Sequence, residues 1–233
     1  MAKPAVVVVT GGFGVLGQAV AQAFVRSGAQ MALIDRMPPT ATLQQKFTAP
    51  QLLLGSVDLS RADSAEAAMV QVAGRHGGID VLINIAGGFR WQTLEAGDVD
   101  GWDAMFAVNL KTAVVASRAA LPHILQSRAG RIINIGAGAA AKPAAEGMGA
   151  YAAAKAGVHK FTESLAAEVK DRQVTVNAIL PGTIDTPQNR RDMADADFSR
   201  WVAPAAIAEV IVFLASPQAA AVTGALIPVF GRG

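Results

Sequence analysis

A short apolar run, Ala5 to Val9, passes through Thr10 straight into Gly11-Gly12-Phe13-Gly14-Val15-Leu16-Gly17, and an Ala-rich stretch follows to Ser27. A strand that turns through glycines directly into a helix commits the start of the chain to a β-α-β unit, because only glycine tolerates both the turn and the close packing it creates. The same order repeats downstream. Apolar runs at Met31–Ile34, Leu52–Leu54, Val81–Ile85, Arg131–Ile135, Val174–Leu180 and Ala225–Val229 read as strands. Helices are expected over Leu16–Ser27, Ala62–Gly74, Asn109–Ser127, Ala150–Val169 and Pro204–Ala215. Strands that are apolar along their whole length need cover on both faces, so the pattern predicts an α/β fold: a Rossmann-like, doubly wound parallel sheet of about seven strands.

No stretch rich in Gly, Ser or Pro divides the chain, and one domain over residues 1–233 is expected. The hydrophobic share of 52% and mean hydropathy of +0.35 argue against disorder. No uninterrupted apolar run approaches the length of a bilayer span, and no basic, apolar and small-residue leader precedes the glycines, so the expected place is the cytoplasm, without a membrane partner. Its 20 basic and 18 acidic residues are interspersed, which gives no stripe for nucleic acid. Cysteine is absent, and His76, His123 and His159 have no paired acidic spacing, so no metal site is expected. A G-x-S-x-G elbow is missing as well. What remains is chemistry on a small molecule.

Gly12, Gly14 and Gly17 form G-x-G-x-x-G between strand and helix, the fingerprint of a dinucleotide site. On that reading Gly12 makes the tight turn, Gly14 lets the pyrophosphate approach, Gly17 packs helix on strand, and Gly11, Phe13, Val15 and Leu16 complete the binding turn. Asp35 closes the second strand at the distance where a carboxylate accepts from the adenosine ribose, which favours NAD(H) over NADP(H). Arg36 beside it can turn to a 2'-phosphate instead. Asp58, after the third strand, has two readings: a contact to the adenine, or a cap for a loop or helix near Ser60.

Tyr151 and Lys155 stand four residues apart on one helical face, where an ammonium lowers the phenol pKa and readies it for proton transfer. That pair gains meaning from its company. TGGFGVLG, NIAG at Asn84–Gly87, VNL at Val108–Leu110, YAAAK at Tyr151–Lys155 and PGTIDT at Pro181–Thr186 occur in order along nearly the whole chain. Together they resemble the short-chain dehydrogenase/reductase family. The resemblance implies Tyr151 as general acid/base, Lys155 on the nicotinamide ribose, and Asn109 holding a water in the proton relay. It implies that Asn84–Gly87 supports the central strand, with Ala86 and Gly87 on the cofactor. Pro181, Gly182, Ile184 and Thr186 would border the nicotinamide. A helix cap at Asn109 and a plain turn at Pro181–Thr186 are the structural alternatives.

One position departs from the family. A serine is normal after the fifth strand, but this strand continues as Gly136-Ala137-Gly138, and alignment by the strand puts Ala137 there. A narrower resemblance, to quinonoid dihydropteridine reductases that also lack the serine, is carried by GGFGVLG, IAGGF at Ile85–Phe89, AKAGVH at Ala154–His159 and DTPQNRRDMADADFSRW at Asp185–Trp201. The resemblance implies an electron-poor conjugated acceptor; a dinucleotide sensor or interaction subunit without catalysis is the rival reading. Residues 183–201 are expected to form a polar lid, and Phe89, Trp91 and Trp201 to stack on a flat substrate or simply to pack. The family habit of pairing subunits through the helices at Asn109–Ser127 and Ala150–Val169 implies a homodimer or homotetramer.

Overall fold

The computed structural model describes residues 4–232. Its strands are β1 (Val6–Thr10), β2 (Gln30–Ile34), β3 (Leu52–Leu54), β4 (Val81–Asn84), β5 (Gly130–Ile135), β6 (Val174–Pro181) and β7 (Leu226–Val229). They form one seven-stranded sheet in the order β3-β2-β1-β4-β5-β6-β7, with every pairing parallel. Parallel neighbours need crossovers, and here the crossovers are helices on both faces. α1 (Val15–Arg26) and α8 (Pro204–Ala215) cover the face that receives Val7 and Val9. α3 (Ala62–His76), α5 (Thr112–Ile124) and α6 (Gly149–Val169) cover the face that receives Val6 and Val8. The order reverses between β1 and β4, which opens a crevice at the carboxyl ends of the strands.

The helical layer differs from expectation in one instructive place. The helix expected from Asn109 begins ten residues earlier, as α4 (Val99–Phe106), and runs through a π turn at Ala107–Lys111 into α5. Asp98 caps it by accepting from the Gly101 amide. The whole helix, Val99–Ile124, is long and apolar enough by length and composition to cross a membrane, yet it packs against α3 and α6 as part of the layer. Two six-residue helices were not anticipated: α2 (Ala41–Lys46), capped by Thr40, and α7 (Pro187–Asp192), capped by Thr186. Each is too short to display a 3.6-residue period in sequence.

Candidate active site

The glycine turn is built as a set of close approaches. Its left-handed residue is Gly11, at φ 62°, and a Cβ there would lie 2.8 Å from the Ala86 amide nitrogen. Gly12 lies inside the tight turn, as the motif predicts, since the Gly14 amide closes it by donating to the Gly11 carbonyl at 3.2 Å. Gly12 also packs closely, since its Cβ would come 2.7 Å from that of Leu33. Gly17 lies under the Gly11 carbonyl and the Gly12 Cα, as the motif requires. Gly14 is exposed, and its nearest obstruction would be the Gly11 carbonyl at 3.4 Å, so its backbone stays open to approach. α1 starts at Val15, leaving the first-turn amides of Val15, Leu16 and Gly17 without intrahelical acceptors at a positive helix end.

Thr10, whose role the motif does not reveal, fastens this turn to the end of β4: its Oγ1 accepts from the amides of Ile85 and Ala86 at 3.1 and 3.2 Å. Asp35 is half-buried and accepts from the Phe13 amide on Oδ2 and the Met37 amide on Oδ1, both at 3.1 Å. Each carboxylate oxygen keeps a further lone pair for a hydroxyl donor. Arg36 is exposed beside it. Asp58 accepts from the Ser60 amide and hydroxyl at 2.9 and 2.7 Å, bonds that hold its carboxyl below the usual range. It shapes the turn before α3; the helix cap itself is Arg61.

A cavity of about 940 Å³ opens at the carboxyl ends of β4, β5 and β6 and brings together Leu16, Gly87, Asn109, Tyr151, Lys155, Pro181, Gly182 and Ile184. Gly11–Val15, Gly17, Asp35, Arg36, Asp58, Ala86 and Thr186 lie outside its walls. Tyr151 occupies the first turn of α6, and Lys155, only 4% exposed, sits one turn on with its Nζ donating to the Ile135 carbonyl at 2.7 Å. Burial pushes the phenol up to about 12 and the ammonium down to about 8. The lowering of the phenol by Lys155 expected from their spacing is not seen in this structure, where desolvation moves it the other way. Phe89 meets Tyr151 edge-on, with ring centroids 5.1 Å apart.

Asn109 is buried within the π turn and caps no helix. Its Nδ2 donates to the carbonyls of Gly88 and Met105 at 2.9 and 3.0 Å, while Oδ1 accepts from the Gly88 amide at 3.2 Å. The side chain thus clamps the segment leaving β4. Behind it runs a buried polar chain, in which Asn84 is expected from the sequence as a support but Ser117, Asn134 and Thr162 are not. Asn84 Nδ2 donates to Ser117 Oγ and Asn134 Oδ1, and Asn134 Nδ2 donates to Thr162 Oγ1, each at 2.9 Å. It ties α5, β4, β5 and α6 together under the site. The recurrence of Asn at the ends of VLIN and RIIN was the available signal.

Beyond β6, the Ile184 carbonyl accepts from Asn189 Nδ2 at 2.8 Å and Thr186 Oγ1 accepts from the Asn189 amide at 3.1 Å. Residues 183–201, expected as a polar lid, hold α7 and a 3-10 turn at Phe198–Arg200. Asp185 pairs with Arg190 through two bonds of 2.6 and 2.8 Å, and Arg190 lies 4.9 Å over the Phe198 ring. Trp201 and Phe89 reach the cavity. Trp91 does not; its indole N–H donates to the Glu146 carbonyl at 3.0 Å. Phe230, unanticipated, forms another wall, and a Cβ on Gly138 would come within 2.6 Å of its ring. Ala137 faces the cavity with a methyl, and among the described residues of its walls only Tyr151 and Thr183 carry hydroxyls.

The model of the family described as short chain dehydrogenase matches residues 5–197. The chain is 34% identical to 2-(S)-hydroxypropyl-CoM dehydrogenase 3 of Xanthobacter autotrophicus, over 98% of this chain and 96% of that one. It is 35% identical to the 3-oxoacyl-acyl-carrier-protein reductase FabG of Vibrio harveyi, over 97% and 96%. Among solved structures it resembles a mutant short-chain dehydrogenase/reductase of Serratia marcescens, with TM-score 0.87, 28% identity and coverage of 98% and 97%. Ligand-free aldohexose dehydrogenase of Thermoplasma acidophilum is similar as well, with TM-score 0.88, 27% identity and coverage of 99% and 94%.

Proposed function

Given that the chain belongs to the short chain dehydrogenase family, whose members support an NAD(P)-dependent oxidoreductase, we propose that it reduces a small, flat, conjugated acceptor of quinonoid dihydropterin type with NADH. The observation that carries this reading is the cavity in which Tyr151 and Lys155 meet aromatic walls and no serine. When bound, the dinucleotide supplies the hydride. The open backbone at Gly14 and the first-turn amides of α1 suit its pyrophosphate, and the spare lone pairs of Asp35 suit ribose hydroxyls while repelling a 2'-phosphate. Ala86, Gly87, Pro181, Gly182 and Thr186 border it, and Ile184, its carbonyl engaged by Asn189, offers its N–H to the carboxamide.

Tyr151, protonated well above neutral pH, delivers its proton to the atom that gains charge as hydride arrives. Lys155 steadies the resulting phenolate and is itself held on the Ile135 carbonyl. Asn109, its amide committed to Gly88, serves the relay through the main chain of the π turn. A conjugated imine is already electron-poor, so the reaction leans less on a hydroxyl that polarises a carbonyl. Self-association as a homodimer or homotetramer is part of the proposal, supported by exposed Phe106 and Val114 on the α4–α5 helix.

The test is nicotinamide oxidation with NADH and NADPH against quinonoid dihydropterin and a panel of ketones, quinones and imines. Turnover of the pterin with NADH is the expected result. Turnover of simple ketones alone, or a preference for NADPH, would overturn the substrate or the cofactor part respectively.

A further inference from the structure

We infer that His159 is a positioning residue for this reaction, holding the exit of β5 on the wall it shares with Tyr151 where the family serine is missing. The inference rests on the hydride-transfer reading above. Tyr151, Lys155 and His159 follow one another at intervals of four along α6, so they form a single stripe. Two members of that stripe grip consecutive parts of one segment. Lys155 Nζ donates to the Ile135 carbonyl at 2.7 Å, and His159 Nε2 accepts from the Ala137 amide at 3.3 Å. Between them the Gly136 amide donates to the Ile179 carbonyl of β6 at 2.8 Å. Three successive residues are therefore pinned from two elements.

His159 is only 5% exposed and is absent from the cavity walls, whereas Ala137, the residue it holds, lies on them. Its action on substrate passes through that backbone. An Nε2 that accepts leaves the remaining proton of a neutral imidazole on Nδ1. Gly136 is the second half of the device: a Cβ there would lie 2.5 Å from His159 Nε2 and 2.7 Å from Cδ2. Glycine admits the ring, and the ring restores to a glycine-bearing strand exit the rigidity that glycine removes. An aliphatic residue at 159 would leave the buried Ala137 amide without its acceptor and the exit free to shift. Because positions near a reacting centre are unforgiving, such a shift is read in turnover before it is read in binding.

The experiment uses the full chain with Tyr151→Phe, His159→Leu, His159→Gln, Gly136→Ala and the double variant Gly136→Ala/His159→Leu. Turnover, KM for the acceptor and NADH affinity are measured after circular dichroism has established folding. His159→Leu is expected to lower kcat roughly ten- to a hundredfold with NADH affinity unmoved. His159→Gln, which carries an acceptor to a similar reach, should recover most of it. Gly136→Ala should be harmful alone and far less so in the His159→Leu background. An unchanged kcat in folded His159→Leu, or a Gln variant no better than Leu, would overturn the proposal. Two-bond proton–nitrogen spectra give a readout independent of turnover: the Nδ1–H tautomer is expected, and an Nε2–H tautomer contradicts the contact. If no acceptor is turned over by either the native chain or Tyr151→Phe, the hydride-transfer reading fails, while the tautomer still decides whether His159 holds Ala137.

Discussion

The two ends of the crevice are made in different ways. The turn from Gly11 to Gly17 is made chiefly of backbone: glycines without Cβ atoms and the start of a helix, with the Asp35 carboxylate accepting from the Phe13 amide. The opposite end is assembled from afar, with Phe89 after β4, Ala137 after β5, Tyr151 on α6, Trp201 after α7 and Phe230 after β7. A site of backbone tolerates drift in the rest of the chain, while a site of converging side chains changes whenever any contributor does. The difference explains why one end announces its ligand class and the other only the kind of molecule it admits.

The largest expected effect separates the ends cleanly. Tyr151→Phe removes the only phenol in the chain and should lower kcat by about 10² to 10⁴, with NADH affinity, measured by fluorescence titration, left as it was. Equal losses in both quantities would break the comparison, since the two ends would then not be separable.

Gly11→Ala attacks the other end. It forces a Cβ into the left-handed region and to within 2.8 Å of the Ala86 amide, so main chain would have to yield on one side or the other. A cost of about 1–2 kcal/mol is expected from the dihedral alone, seen as a lower thermal midpoint accompanied by weaker NADH binding. A midpoint unchanged from the native chain would show the turn to be more pliant than its contacts indicate.

A smaller effect appears in the pH profile. Lys155 is held near 8 by burial, so rising pH removes the ammonium that steadies the phenolate while Tyr151, near 12, is still protonated. Reduction should therefore decline above pH of about 8, roughly tenfold per unit at the steepest. The decline should follow kcat with NADH saturating, and a flat profile to high pH would deny Lys155 this part.

How much of this was legible follows the same division. The strands and their parallel order could be read because each is apolar throughout, as VVVVT and VTVNAILP are. The motif gave the dinucleotide turn and Gly12 within it but not the left-handed Gly11 that precedes it, because two adjacent glycines look alike until Ala86 and Leu33 are in place. The π turn around Asn109 left no trace, since a single extra residue in a helical pattern resembles ordinary drift of phase. Phe230 was invisible because its contact is with Gly138, ninety-two positions earlier. His159 read as one of three scattered histidines, and only the amide of Ala137 gives it a task.

Ala137→Ser, the smallest expected effect, asks whether the far end can be rewritten by one atom. Ala137 is 5% exposed and borders the cavity, so a hydroxyl there enters a mostly apolar wall and has to find a partner or lose hydration worth about 1–3 kcal/mol. Tyr151 or the acceptor itself can supply that partner. With a simple ketone, whose oxygen gains charge as hydride arrives, the added donor should raise turnover by up to about tenfold, below the hundredfold or so that a fully organised donor contributes. The shortfall is expected because Phe230 occupies the space beside Gly138 and restricts how the ketone lies. With quinonoid dihydropterin, which has little use for the donor, the rate should stay level or fall. Equal gains for both acceptors would mean that Ala137 limits the site as it stands, and that the serine-free wall is a defect instead of a fit to a conjugated substrate.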